Sequence, residues 1–136
     1  MSSSSILTNS TVTNSAYNSK ENTLYLTYWL PDNAKFSFFG IFKISKNENL
    51  KMTPLADPLE LEPYSSTLPT CRQIRYTSRE YNDKPCFPKK YYFLLFEEKI
   101  EIVEHNIFSG TLSLERSITI TPICDSIELM EISDSQ

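Results

Sequence analysis

The sequence predicts an all-β domain, a small antiparallel β-barrel or β-sandwich, and three observations carry that expectation. Aromatic residues are 12% of the 136 residues, most of them Tyr and Phe; such side chains suit a pleated, half-buried surface. Glycine occurs only twice. The apolar residues recur in short alternating runs separated by turn residues, the spacing typical of sandwich and barrel strands.

Leu24, Leu26, Tyr28 and Leu30 alternate with Tyr25, Thr27 and Trp29, and because both sets are mostly bulky this reads as a strand covered on two faces. Pro31-Asp32-Asn33 is a turn, since proline presets φ and the Asp or Asn side chain can bond the backbone ahead. The run 36–44 then places Phe36, Phe38, Phe42 and Ile44 on one face of a second strand, a hairpin partner or near neighbour of the first. Trp29 and the Phe36–Phe42 cluster serve either as core or as the lining of an internal ligand cavity.

Four of the eight prolines fall between Pro54 and Pro69. Proline lacks a ladder donor, so this is a long Pro-rich loop with an extended edge segment at Leu59-Glu60-Leu61. Gln73–Thr77 is a short strand and Asn82–Lys90 a loop. Tyr91–Phe96, continuously apolar, is a central strand; Glu97-Glu98 after it is either a tight turn or an exposed stretch of a longer strand. Asn106–Gly110 is a turn, Leu112 and Leu114 belong to one strand, Ile118 and Ile120 to another. Residues 127–132 form a last strand or a short helix capped by Asp125.

Residues 1–23, dominated by Ser, Thr and Asn, read as a disordered tail, residues 24–132 as a single β-rich domain, and residues 133–136 as a second tail. The opening MSSSSILTNS has no charged region followed by an apolar one, and no apolar run approaches the ~20 residues that cross a bilayer. Cys71, Cys86 and Cys124 are an odd set at wide spacing. The expectation is an intracellular protein, nuclear or cytoplasmic, with reduced thiols and no membrane association.

Nothing in the sequence assembles a catalytic or cofactor site. Gly40 and Gly110 stand apart, without the spacing of a phosphate-cradling loop. His105 is the single histidine, and no two cysteines are close enough for a zinc-binding pair. The carboxylate pairs Glu60/Glu62 and Glu97/Glu98 sit where solvent-facing charges sit. No catalytic residue, metal or cofactor is therefore expected, and the chain reads as a non-enzyme.

The formal charge of −4 divides into blocks: −1 over residues 1–71, +4 over 72–96 and −7 over 97–136. In the basic block, Arg72, Arg75, Arg79, Lys89 and Lys90 are interleaved with Tyr76, Tyr91 and Tyr92. Cations neutralise phosphate and aromatic faces stack on unpaired bases, so the pattern suits single-stranded nucleic acid. It suits equally an acidic protein partner, or a solvated loop whose tyrosines pack inward. The acidic balance of the whole chain, with a pI near 5.0, weighs toward protein.

Residues 22–30, Asn-Thr-Leu-Tyr-Leu-Thr-Tyr-Trp-Leu, followed by Phe36-Ser-Phe-Phe-Gly-Ile, resemble the opening strands of the triple-barrel dimerisation subunits of transcription factor TFIIIC. The glycine-threonine strand signature of that family does not follow. The resemblance implies a nuclear, heterodimerising role. The functional expectation is thus a non-catalytic protein-interaction subunit of a larger intracellular complex, a hetero-oligomer, docking through its β-domain. The alternatives are an OB-like single-strand nucleic-acid binder and the TFIIIC-like heterodimerising subunit.

Overall fold

The structure, a computed structural model, describes residues 10–30, 33–46, 50–61, 71–77, 81–82, 88–96 and 99–120. These residues are all-β, with ten strands and no helix: β1 (Thr11–Asn18), β2 (Thr23–Leu30), β3 (Asn33–Lys46), β4 (Leu50–Pro54), β5 (Leu59–Leu61), β6 (Gln73–Tyr76), β7 (Tyr81–Asn82), β8 (Pro88–Leu95), β9 (Lys99–Asn106) and β10 (Thr111–Thr119). They form two antiparallel sheets. The first runs β1-β2-β3-β4, with β5 also paired to β3; the second runs β10-β9-β8-β6, with β7 also paired to β8.

Period-two alternation explains how one core serves both sheets. Tyr25 on β2 and Phe39 and Ile41 on β3 meet Ile74 on β6, Tyr92 and Leu94 on β8, and Val103 on β9 in a single buried cluster, joined by Leu61, Cys71 and Phe96. Its centre is aromatic. The Tyr92 ring lies 4.9 Å from Tyr25 and 5.4 Å from Phe39, tilted against both, a geometry worth about 0.5–1.5 kcal/mol per pair beyond area burial. The sheets also meet at their margins, where the Asn14 side-chain amide of β1 donates to the Cys71 carbonyl just before β6.

The opposite face of the first sheet carries a smaller cluster, Leu26, Tyr28 and Phe42, with Leu24, Leu30, Phe38 and Met52 against it. β2 is therefore apolar on both sides, as its two bulky alternating sets require. Between Tyr28 and Phe42 there is room only for Gly40, since a Cβ there would come within 2.9 Å of the Phe42 ring.

Three expectations are corrected. Residues 11–18, assigned to a tail for their polar composition, are β1, paired along β2 from Thr11↔Trp29 to Asn18↔Thr23. Polar bonds make this strand: the Thr13 and Thr27 hydroxyls share a hydrogen bond of 2.8 Å, and Asn18 Oδ1 accepts from the Lys20 and Glu21 amides in the turn to β2. Residues 112–118 are not parts of two strands either. They form β10, whose register on β9 shifts between Leu114 and Arg116. That bulge changes the phase of the alternation.

The loop expected at Asn82–Lys90 is strand at both described ends, Asn82 in β7 and Pro88–Lys90 in β8, because Lys89 and Lys90 pair with Asn106 and His105 of β9 and proline is tolerated as the first strand residue. The edge segment Leu59–Leu61 pairs with β3 as expected, β6 is a short strand, and β8 is flanked by β6 and β9. The chain reverses between Phe96 and Lys99, where the Phe96 N–H donates to the Lys99 carbonyl. Gly110 closes the β9–β10 turn at φ 68°, the left-handed region that glycine enters without cost. The Pro-rich stretch beyond Leu61, the strand or helix at 127–132 and the tails at 1–9 and 133–136 lie outside the described residues.

A core drawn from both sheets makes them one cooperative unit. Leu94→Ala in the second sheet should cost about 2–5 kcal/mol, and Trp29, the sole tryptophan, should report that loss from the first sheet. Urea unfolding followed by Trp29 fluorescence and by circular dichroism checks this; a Trp29 transition left in place would show that the sheets unfold separately.

Candidate functional site

Of the eight residues singled out in the basic block, the structure brings seven into the β6–β8 region; Arg79 lies outside the described residues. They do not share a face. Tyr76 and Tyr92 are paired across β6 and β8 and both turn inward: Tyr92 is a core residue and Tyr76 packs at its margin, its ring 4.9 Å from Tyr25. A ring so placed has no face left for a base. The sequence hid this because Tyr91 and Tyr92 are adjacent, and in a strand adjacent residues point to opposite sides.

The two lysines are engaged with carboxylates. Lys89 Nζ is 3.3 Å from Glu104, which also accepts from the Tyr91 hydroxyl at 3.5 Å. Lys90 Nζ meets Glu21, in the turn after β1, at 2.5 Å. Arg72 and Arg75 remain exposed, with no ion pair among the described residues.

Around Lys90 the interior is polar. His105, 7% exposed, lies beside Tyr92 with ring centroids 6.4 Å apart, and its Nδ1 has no hydrogen-bond partner among the described residues. Burial, reinforced by the nearby Lys90 charge, holds its pKa below the ordinary imidazole value. Burial likewise pushes the Tyr25 hydroxyl up to about 12, against the opposing hydrogen bond from Asn18, and drives Tyr92 higher still. At the other end of β9, Lys99 and Glu101 are buried as a 3.3 Å ion pair, and the Ser117 hydroxyl of β10 donates to Glu101. Alternation alone puts these charges inside: Lys99, Glu101, Val103 and His105 all share the inward face of β9.

None of these groups is arranged as a nucleophile. Cys71 is a free, buried thiol whose pKa burial raises to about 11, and its S–H donates to the Gln73 carbonyl. It is neutral at physiological pH, the opposite of an activated thiolate. No group of three His, Cys, Asp or Glu side chains gathers as a metal site among the described residues.

The surface that stands out is the outer face of the second sheet. One cross-strand row reads Arg75, Phe93, Ile102, Arg116 and the next Gln73, Leu95, Ile100, Ile118. Phe93, Ile100 and Ile102 are half-buried, Leu95 between them is buried, and Ile118 is exposed. An apolar band thus crosses the face, with Arg72 and Arg75 along the β6 side. Sequence reading found the arginines and missed the band, because Phe93 was counted within an apolar run that conceals which residues face out.

The chain matches no protein-family model, no curated protein and no solved structure, so the likeness of residues 22–30 and 36–41 to the TFIIIC subunits rests on those residues alone.

A buried His105 with a lowered pKa sets a pH dependence. The unfolded chain takes up a proton near pH 6.5, before folded His105 does, so its contribution is complete above that pH and is lost as pH falls toward the folded pKa. Unfolding free energies measured at pH 7.5 and pH 5.5 should fall more for the native chain than for His105→Asn. Equal falls would place His105 in contact with water.

Proposed function

We propose that this chain is a non-catalytic protein-interaction subunit of a larger intracellular complex, docking through the outer face of the second sheet. The observation that carries the reading is the apolar band of Phe93, Ile100, Ile102 and Ile118 on the outer sheet face, half-buried around a buried Leu95 and exposed at Ile118, and bordered by Arg72 and Arg75. Exposed contiguous apolar surface with a polar rim is the usual mark of an interface. The two arginines, without an ion pair among the described residues, favour a partner with carboxylates around its own apolar patch.

The two sheets, sharing one core and meeting at β1–β6 and β5–β10, are read as a β-sandwich that holds this face rigid. A buried free thiol accords with a reducing compartment. The division of the basic block favours protein over nucleic acid: its inward tyrosines cannot stack on bases, and Glu104 places a carboxylate between Lys89 and Tyr91, where a phosphate would be repelled.

A photo-cross-linking residue at Ile102 of the full chain, expressed in its native cells, should yield a discrete protein adduct. The same residue at Ser15, exposed on β1, should not. The adduct should disappear in Arg72→Glu/Arg75→Glu. Adducts equal at both positions, or cross-links to nucleic acid that weaken steeply with salt, would overturn the proposal.

A further inference from the structure

β10 is the edge of the second sheet, nine residues long and exposed at every position except Leu112. Its beginning has a neighbour: β5 touches the strand, and Leu59 and Leu112 pack at the margin of the same core. From Ser113 onward its outer edge is paired with no described strand. Leu114 and Ile118, 45% and 38% exposed, flank that stretch. An unpaired row of backbone N–H and C=O groups is a template for another strand.

The charges and the bulge specify which strand. Leu114 is opposite Val103 and Arg116 opposite Ile102, so Glu115 is the extra residue and shares the outer face with Arg116. The inward set is then Leu114 and Ser117, and the outward set Ser113, Glu115, Arg116 and Ile118. Antiparallel partners must lie on the same face. Two copies of β10 meet that condition throughout Ser113–Ile118 when Glu115 faces Arg116 of the other copy: Leu114 then faces Ser117, and Ser113 faces Ile118. In this arrangement each carboxylate lies opposite one guanidinium, and the pair occurs twice about the two-fold axis. Sliding the strands by one residue sets Glu115 against Glu115 or Arg116 against Arg116, where like charges oppose, and also breaks the facing of Leu114.

We propose that β10 pairs antiparallel with β10 of a second copy of this chain, in the register Glu115 to Arg116, joining the two second sheets edge to edge. The bulge and the central charge pair, devices that discourage casual edge pairing, are satisfied in this one self-complementary arrangement. The dimer does not depend on a partner at the Phe93–Ile102 face; absence of the Ile102 adduct leaves it standing.

Sedimentation of the purified full chain tests it by charge reversal. The native chain should sediment as a dimer that dissociates as salt is raised. Glu115→Arg and Arg116→Glu should each sediment as a monomer, because each sets like charges opposite. The double variant Glu115→Arg/Arg116→Glu should regain the dimer. An equal mixture of the two single variants should form a heterodimer, which also shows that both are folded. A monomeric native chain at all concentrations reached, dimeric single variants, or a mixture that stays monomeric would overturn the proposal.

Discussion

Everything else in this structure depends on the contact of Tyr92 with Tyr25 and Phe39. It is where the second sheet meets the first, and it fixes which side of each sheet is inside. With Tyr92 and Leu94 committed inward, alternation sends Tyr91 and Phe93 outward, and the cross-strand registers carry that choice to Ile102 on β9 and Arg116 on β10. The outer apolar band is thus the necessary complement of the aromatic core. A shift of one residue in β8 would exchange the two faces.

The interior is not purely apolar: Thr27 and Ser37 are fully buried in the first sheet, and the buried charged and imidazole groups of the second sheet occupy the ends of the core. Lys90 and His105 lie toward the β1–β2 turn, where Lys90 meets the more exposed Glu21, and Lys99 and Glu101 toward the start of β9, where Ser117 of the exposed β10 donates to Glu101. Buried ion pairs add little net stability, but removing one partner strands the other charge in a poorly solvated place. The Lys99–Glu101 pair moves as one with β9, so the register of that strand is held by its cross-strand bonds, Ser117 of β10 to Glu101 and Lys89 of β8 to Glu104.

Much of the fold was legible in the sequence. The two-faced character of β2, the central place of Tyr91–Phe96 and the edge segment Leu59–Leu61 all follow from alternation, unbroken apolarity and proline. β1 was not legible, because Thr13, Asn14 and Asn18 hold it through side-chain hydrogen bonds that leave no apolar period. β10 looked like two strands because a bulge reverses the phase between Leu114 and Ile118. In the basic block the residue types were visible but not their faces: Lys89 and Lys90 find carboxylates 15 and 69 positions away in sequence (104 − 89 and 90 − 21), which no local pattern announces. Arg72 and Arg75 remain from that block, now beside an apolar band that only strand pairing reveals.

The central claim is that a single core holds both sheets and thereby presents the outer face of the second. Native-state amide hydrogen exchange measures it most directly. In the full chain, the slowest amides of β2 and β3 and those of β8 and β9 should exchange with one common free energy, equal to that of global unfolding. Separate free energies for the two sets would mean that the sheets open independently and that the Tyr92 contact does not join them.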